Sequence, residues 1–392
     1  MMKEKVILST PITHSDWMWG HQKRIGHGEK SVRYILDRCK GLGMNRVYWR
    51  CFDGGLACYH SQLMDSLALG FHPDNYHAWM TPDFKIPDIF KPYRNFDSLK
   101  AAVNYGHKIG LEVHAWLTIN EDDHGWGLQS RFTQAHPQFR WIKRNGTSFN
   151  SQLSFAFPEV RKYKLGLVKE ILRYDVDGFF FDWMRTGDVR GGPQADSRGT
   201  ADFGYEPPLV EGFKAKFKKD PRSIPNHDER WVQFRCEPQS LFVKEAHKLI
   251  KQKNKSLPIA MMGHHPWSFR GDGTAKINGN RHGLLLDVTR WAKEGWVDEV
   301  TAAGYFRKWG TAAKAYAYLK EEVKNYAAIW LWWWMPSTPE DFTKSVRVAQ
   351  KLGSSQILYW ESDYVDAPGR AAEAKNLLGA MSGYVNTGTL YE

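Results

Sequence analysis

Short apolar runs of strand length alternate with amphipathic stretches along the whole chain, which is the signature of parallel βα units. Eight runs read as strands. The first four are Val6–Thr10, Arg46–Cys51, Glu112–Leu117 and Gly178–Phe181; the second four are Pro258–Met262, Glu299–Ala303, Ala327–Trp332 and Gln356–Tyr359. Between them apolar residues recur three and four positions apart, as in Val32, Ile35 and Leu36 or Val168, Ile171 and Leu172, and that is the helical period. Glycine marks helix ends just before strands in Lys40-Gly41-Leu42-Gly43, Lys108-Ile109-Gly110-Leu111 and Lys351-Leu352-Gly353. Thr338-Pro339-Glu340-Asp341 gives the opposite signal, a helix start with proline in its first turn and acids following. Eight βα units close a barrel, so the expected fold is α/β: one (β/α)8 TIM barrel over residues 1–392, without an interdomain linker.

Two connections are too long for simple loops, Asp53 to Phe96 after the second strand and Thr186 to Glu229 after the fourth. Both follow the C-terminal ends of strands, the catalytic face of such a barrel, where long loops serve as lids or substrate walls. Composition fits one large core: 42% of the 392 residues are hydrophobic and 25% charged. The longest apolar run, Ala327 to Met335, is strand length, far short of the ~18 residues of a membrane helix, so no membrane insertion is expected. Met1 to Thr10 carries no apolar export segment, so the chain as given reads as cytoplasmic, with export and a removed leader as the alternative. Cys39, Cys51, Cys58 and Cys236 lack metal or redox spacing and read as unlinked, buried or partly buried thiols.

The formal net charge of +11 implies attraction to anions. Basic residues are spread along the chain, densest at Lys214, Lys216, Lys218 and Lys219, and no nucleic-acid motif accompanies them, so nucleic acid is not an expected partner. The rarer feature is aromatic: 18 Trp, 17 Tyr and 21 Phe. Such rings suit the C–H face of a sugar as well as they suit a core, so their position decides between the two.

The C-terminal ends of the strands supply the candidates for chemistry. Strand one leads to His14 and Asp16; strand two to Asp53; strand three to Trp116, Asn120 and Glu121; strand four to Asp182, Trp183 and Arg185. Strand five leads to His264, strand six to Tyr305, strand seven to Trp332, and strand eight to Trp360 and Glu361. Cleaving a glycosidic bond takes one carboxyl group to protonate the leaving oxygen and a second to act as nucleophile or to activate water. Asp182 follows three phenylalanines, so its carboxylate emerges where a buried strand meets the cleft. For the second carboxyl, Glu121 on the adjacent strand and Glu361 across the barrel compete, and Asp53 and Asp16 are further carboxylates on the same face. His14, Asp16, Asp53, Trp116, Asn120, Trp183, Arg185, His264, Tyr305, Trp332 and Trp360 are the expected sugar-binding residues. Strand alternation is expected to turn some of Trp330, Trp332 and Trp334 toward the helices. Adjacent histidines on a strand point to opposite sides, so His264-His265 offers one inward ligand; with no HExxH motif, no metal or other cofactor is expected.

These segments resemble the glycoside-hydrolase-like family 10 barrels, bacterial glycosyl hydrolases related to the α-galactosidase superfamily. The resemblance runs through Val113-His114-Ala115-Trp116, Phe157-Pro158-Glu159-Val160-Arg161-Lys162-Tyr163, Tyr174 to Asp182, and Trp291 to Asp298 with Tyr305. It implies a TIM barrel and a catalytic role for Asp182. Trp183 and Met184 stand where that family usually has a second Asp and a Tyr, and Leu117-Thr118-Ile119 precedes Asn120 where an Asn is expected soon after the strand-three Trp. The expected function is hydrolysis of a glycosidic bond in a poly- or oligosaccharide, with the basic balance pointing to an acidic or sulfated glycan. The alternatives are a carbohydrate-binding pseudoenzyme and a metal-dependent hydrolase or deacetylase of a sugar derivative.

Overall fold

The computed structural model describes residues 6–13, 28–67, 95–122, 130–184, 200–264, 279–303, 309–324, 326–334, 338–354 and 356–360. Eight parallel strands form a closed barrel. They are β1 (Ile7–Ile12), β2 (Arg46–Arg50), β3 (Glu112–Thr118) and β4 (Gly178–Asp182), then β5 (Ile259–His264), β6 (Glu299–Ala303), β7 (Ala328–Trp334) and β8 (Gln356–Trp360). Each pairs with its sequence neighbours, and β8 returns to β1 through Ile7 opposite Gln356. Register steps one way round the sheet, with Ser9 opposite Arg46, Arg46 opposite Glu112 and His114 opposite Gly178; this is the stagger that tilted barrel strands need. All eight expected strands are present. Several run further at their C-terminal ends than expected, β1 to Ile12, β5 to His264 and β7 to Trp334, because each stays paired there with a neighbouring strand, Ile12 with Trp49, His264 with Ala303 and Trp334 with Trp360.

The helices around the barrel are α1 (Glu29–Gly41), α2 (Ser98–Lys108), α3 (Pro158–Ile171), α4 (Glu229–Lys253), α5 (Val288–Lys293), α6 (Trp309–Val323) and α7 (Pro339–Lys351). Their ends follow local chemistry. Thr338 caps α7 by accepting from the Asp341 amide at 3.1 Å, and Asp97 caps α2 by accepting from Lys100 N at 2.9 Å. Gly43, Gly110 and Gly353 take φ of 84°, 72° and 79° just beyond helix ends, a left-handed turn that glycine adopts without strain. The four cysteines are buried thiols. Among the described residues no helix is long and apolar enough to cross a membrane.

Alternation divides the strand residues between two cores. Val47 and Trp49, Val113 and Ala115, and Phe179 and Phe181 face outward into the layer shared with the helices. Tyr48, Trp116, Phe180, Ala260, Met262, Trp330 and Leu358 fill the barrel interior. Trp330 therefore faces inward; the side chains of Trp332 and Trp334, the other two residues of which some were expected to face the helices, lie outside the described residues. Near the N-terminal end of the strands the interior carries charge: Arg46 binds Glu112 at 2.8 Å and Glu299 at 3.1 Å, with its guanidinium 5.5 Å from the centre of the Trp330 ring. Burial pulls the Arg46 pKa down, but Tyr48 and these two carboxylates outweigh it and hold it above its ordinary value. Opposite charge crosses the barrel here and ties β2 to β3 and β6.

Two antiparallel excursions leave the C-terminal side of the barrel. One is a tight hairpin, Phe52–Asp53 with Leu56–Ala57, directly after β2; the other pairs Arg140–Ile142 with Ser148–Leu153 after β3. The second packs on the helix Pro207–Phe217 through Glu206, which is buried and accepts from Ile142 N at 3.0 Å. Burial pushes the Glu206 carboxyl from 4.5 up to about 8, so the folded protein keeps a proton there that the unfolded chain has released. Between those two values the folded state binds more protons, and its stability falls as pH rises, with the full benefit below about 4.5 and none above about 8. Glu206→Gln retains the acceptor and removes the titration. Urea denaturation across this range is expected to give a flatter stability curve for the variant than for wild type, and parallel curves would contradict the assignment.

Candidate active site

Among the described residues, the mouth stands on β2, β3 and β4, and the residue that joins them is one that the sequence reading passed over. In Arg46-Val47-Tyr48-Trp49-Arg50 alternation puts both arginines and the tyrosine on the inward face of β2. Arg50 lies one layer above Tyr48, almost fully buried. Its Nη2 donates to Asp53 Oδ1 at 3.0 Å and to Glu121 Oε2, and its Nε donates to Phe52 O at 3.3 Å. The guanidinium also sits 5.0 Å from the centre of the Trp116 ring. Burial alone would lower the Arg50 pKa; Asp53 and Glu121 more than reverse this and hold it above its ordinary value.

The two carboxylates reach Arg50 by different routes. Asp53 belongs to the hairpin after β2, which turns over Gly54 and Gly55 at φ of 52° and 78°. A Cβ on Gly55 would collide with the backbone oxygen of Asp122 and with Ser130, so only glycine allows this hairpin to press on the segment that follows β3. Glu121 belongs to that segment and is 3% exposed. Its neighbour Asp122 turns the other way and forms a buried ion pair with Lys164 of α3. Lys164 is thus a second cation that sequence reasoning missed, and the signal was a lysine at a core-spaced position of an amphipathic helix, between Val160, Tyr163 and Leu167. The acidic run Glu121-Asp122 is a pair of buried anchors.

Asp182 is the last residue of β4, opposite Thr118 on β3, and is 2% exposed. Trp116 Nε1 donates to its Oδ2 at 3.0 Å, and the backbone amide of Trp183 donates to its Oδ1 at 2.6 Å. Trp183 takes φ of 52°, a left-handed conformation uncommon for a side chain of its size. Pairing extends beyond the strands: Ile119 N donates to Asp182 O at 2.9 Å and Asn120 N to Trp183 O at 3.1 Å. The backbone that carries Asp182 is therefore bound on the β3 side past the end of the ladder.

The structure brings Asp53, Trp116, Asn120, Glu121, Asp182 and Trp183 together at one end of three adjacent strands. Trp116, expected as a stacking platform, is instead fully buried, its ring wedged between Arg50 and Phe180. Asn120 is buried as well, its Nδ2 donating to Met184 O at 3.4 Å. Asp53 and Glu121 act here as partners of Arg50. His14, Asp16, Arg185, Tyr305 and Glu361 lie outside the described residues, as do the side chains of His264, Trp332 and Trp360. Among the described residues no group of three or more His, Cys, Asp or Glu side chains is placed to hold a metal ion.

The model of the family described as Glycosyl hydrolase-like 10 matches residues 28–328. The glycosyl hydrolase DigH of Escherichia coli strain K12 is 28% identical over 167 residues, covering 38% of this chain; the chain spans about a third, 32%, of that relative's length. Among solved structures, the catalytic domain of a β-amylase from Paenibacillus polymyxa is similar with a TM-score of 0.60, at 11% identity over 97% of each chain. An endo-1,4-β-mannanase from Rhizomucor miehei has a TM-score of 0.56, at 10% identity over 98% of this chain and 96% of its own. At such identity these structures share the barrel fold.

Removing the guanidinium would leave two carboxylates buried without their cation. Arg50→Met is expected to destabilise the protein by about 3–5 kcal/mol in chemical denaturation. Arg33→Met, at the exposed Arg33–Glu29 pair, should leave stability nearly unchanged. A loss at Arg50 as small as that at Arg33 would contradict the ion-pair hub.

Proposed function

We propose, starting from the fact that the chain belongs to the glycosyl hydrolase-like 10 family, that it hydrolyses a glycosidic bond in a poly- or oligosaccharide held across the C-terminal mouth of the barrel. The observation that carries this reading is Asp182, a carboxylate at the end of β4 each of whose oxygens receives an N–H. A group fixed in this way is suited to attack an anomeric carbon or to activate a water, since its orientation is set before substrate arrives.

The reaction needs a second carboxyl that carries a proton to the leaving oxygen. Glu121 is buried and bound by Arg50, an arrangement that suits an anchor better than a proton donor. Glu361, which follows Trp360 in the sequence, is the better-suited acid; the strand it follows, β8, lies across the ring of strands from β4. Asp182 then acts as nucleophile or base and Glu361 as acid. His14, Asp16, Arg185, His264, Tyr305, Trp332 and Trp360 bind sugar hydroxyls and ring faces. The formal charge of +11 favours an acidic or sulfated glycan within this class. The relative named a glycosyl hydrolase supports the reaction class.

Hydrolysis measured across a panel of glycans weighted toward anionic polysaccharides tests this. Wild type is expected to cleave at least one, Asp182→Asn to fall by several orders of magnitude, and Glu361→Gln to fall most on substrates with poor leaving groups. Full activity in Asp182→Asn would overturn the assignment. Saturable binding of an oligosaccharide, unchanged by that substitution and without cleavage of any glycan, would replace it with a carbohydrate-binding protein.

A further inference from the structure

Trp116 is an unusual side chain to bury at the end of a barrel strand. An indole is a large apolar body with one polar atom, and that atom must find an acceptor when it leaves water. Here the acceptor is Asp182 Oδ2, at 3.0 Å. The other carboxylate oxygen receives the Trp183 amide at 2.6 Å. Both of these partners donate and neither can accept, so together they suit a carboxylate without a proton and disfavour a carboxylic acid. Arg50 lies over the face of the same indole, 5.0 Å from its centre, fixed there by Asp53 and Glu121. A cation on the ring face draws electron density from the ring and strengthens its N–H as a donor.

We propose that Trp116 is a positioning residue that holds Asp182 in its ionised form and in one orientation, with Arg50 as the support of that hydrogen bond. The proposal deepens the hydrolase reading and rests on it for its kinetic consequence. It gives Asp182 the part of nucleophile or base and assigns the proton donor elsewhere. It also accounts for the ion-pair hub as more than a strut: Asp53 and Glu121 both hold Arg50, and their shared grip sets where the guanidinium meets the ring. Charged groups packed about this indole include Asp182 itself, Arg50 and, through Arg50, Asp53 and Glu121. Trp116→Phe leaves all four in place and removes the one N–H.

Two measurements test the proposal. The first needs no substrate: carboxyl carbon NMR of protein labelled at aspartate side chains, with the Asp182 signal identified by its loss in Asp182→Asn. Trp116→Phe is expected to raise the Asp182 titration midpoint by about one to two pH units, the consequence of losing one hydrogen bond to a charged acceptor. An unmoved midpoint would overturn the proposal and leave Trp116 as core packing alone. The second reads the bond in wild type, in case the phenylalanine variant fails to fold. The Trp116 indole proton should shift with pH in step with Asp182 and stop doing so in Asp182→Asn; an indole signal indifferent to both would equally overturn it.

The kinetic consequence is separable. On any glycan that wild type cleaves, Trp116→Phe should lower kcat on the order of 10²-fold with KM little changed, and should move the acidic limb of the pH profile upward. Unchanged kcat and an unmoved acidic limb, beside a shifted NMR midpoint, would overturn the positioning role. If wild type cleaves no glycan while the midpoint and indole shift respond as expected, the hydrogen bond stands and it is the hydrolase reading that fails.

Discussion

A guanidinium almost fully buried near the mouth of a barrel is a demanding object, because its solvation must be replaced on every side. Arg50 obtains that replacement from two carboxylates, a carbonyl and an aromatic face. Each of these partners in turn constrains the chain. Asp53 draws the hairpin after β2 inward, and Gly55 lets it press against the segment after β3. Glu121 fixes that same segment from the other side, while Asp122 locks it to α3 through Lys164. Trp116 is left between Arg50 and Phe180 with its N–H aimed at Asp182. One buried charge thus organises three strand ends, and the carboxylate proposed to react inherits their rigidity.

The barrel also separates tasks along its axis. Near the N-terminal strand ends, Arg46 with Glu112 and Glu299 spans the interior, and aromatic side chains fill the middle layer. Those layers hold the strands in register. The C-terminal layer repeats the same device, an inward arginine paired to two carboxylates, but places it beside Asp182, the carboxylate proposed to react. Arg46 and Arg50 lie four residues apart on β2, so one strand supplies the buried cation at both levels.

Much of this architecture was legible in the sequence. The eight apolar runs located the strands, the Thr338 and glycine signals located helix ends, and Asp182 was placed at the end of β4. What pattern alone did not show was partnership. A run such as Glu121-Asp122 looks the same whether its carboxylates are solvated, catalytic or clasped by Arg50 and Lys164, because those partners come from distant segments. Arg50 itself was visible in the alternation of Arg46-Val47-Tyr48-Trp49-Arg50, but only its parity with Tyr48 on the inward face gives it meaning. A strand-end tryptophan such as Trp116 can stack on a sugar, and the pattern alone suggests that; the register that sets it beside Phe180 buries it instead.

In the proposed function the mouth around Asp182 is where a glycan reacts. A crystal structure of Asp182→Asn soaked with an oligosaccharide from the substrate panel tests it most directly. A sugar ring is expected at the end of β4 with its anomeric carbon beside residue 182, and the Arg50 to Trp116 contact intact beneath it. A saccharide bound reproducibly elsewhere on the surface, with that mouth empty, would contradict it.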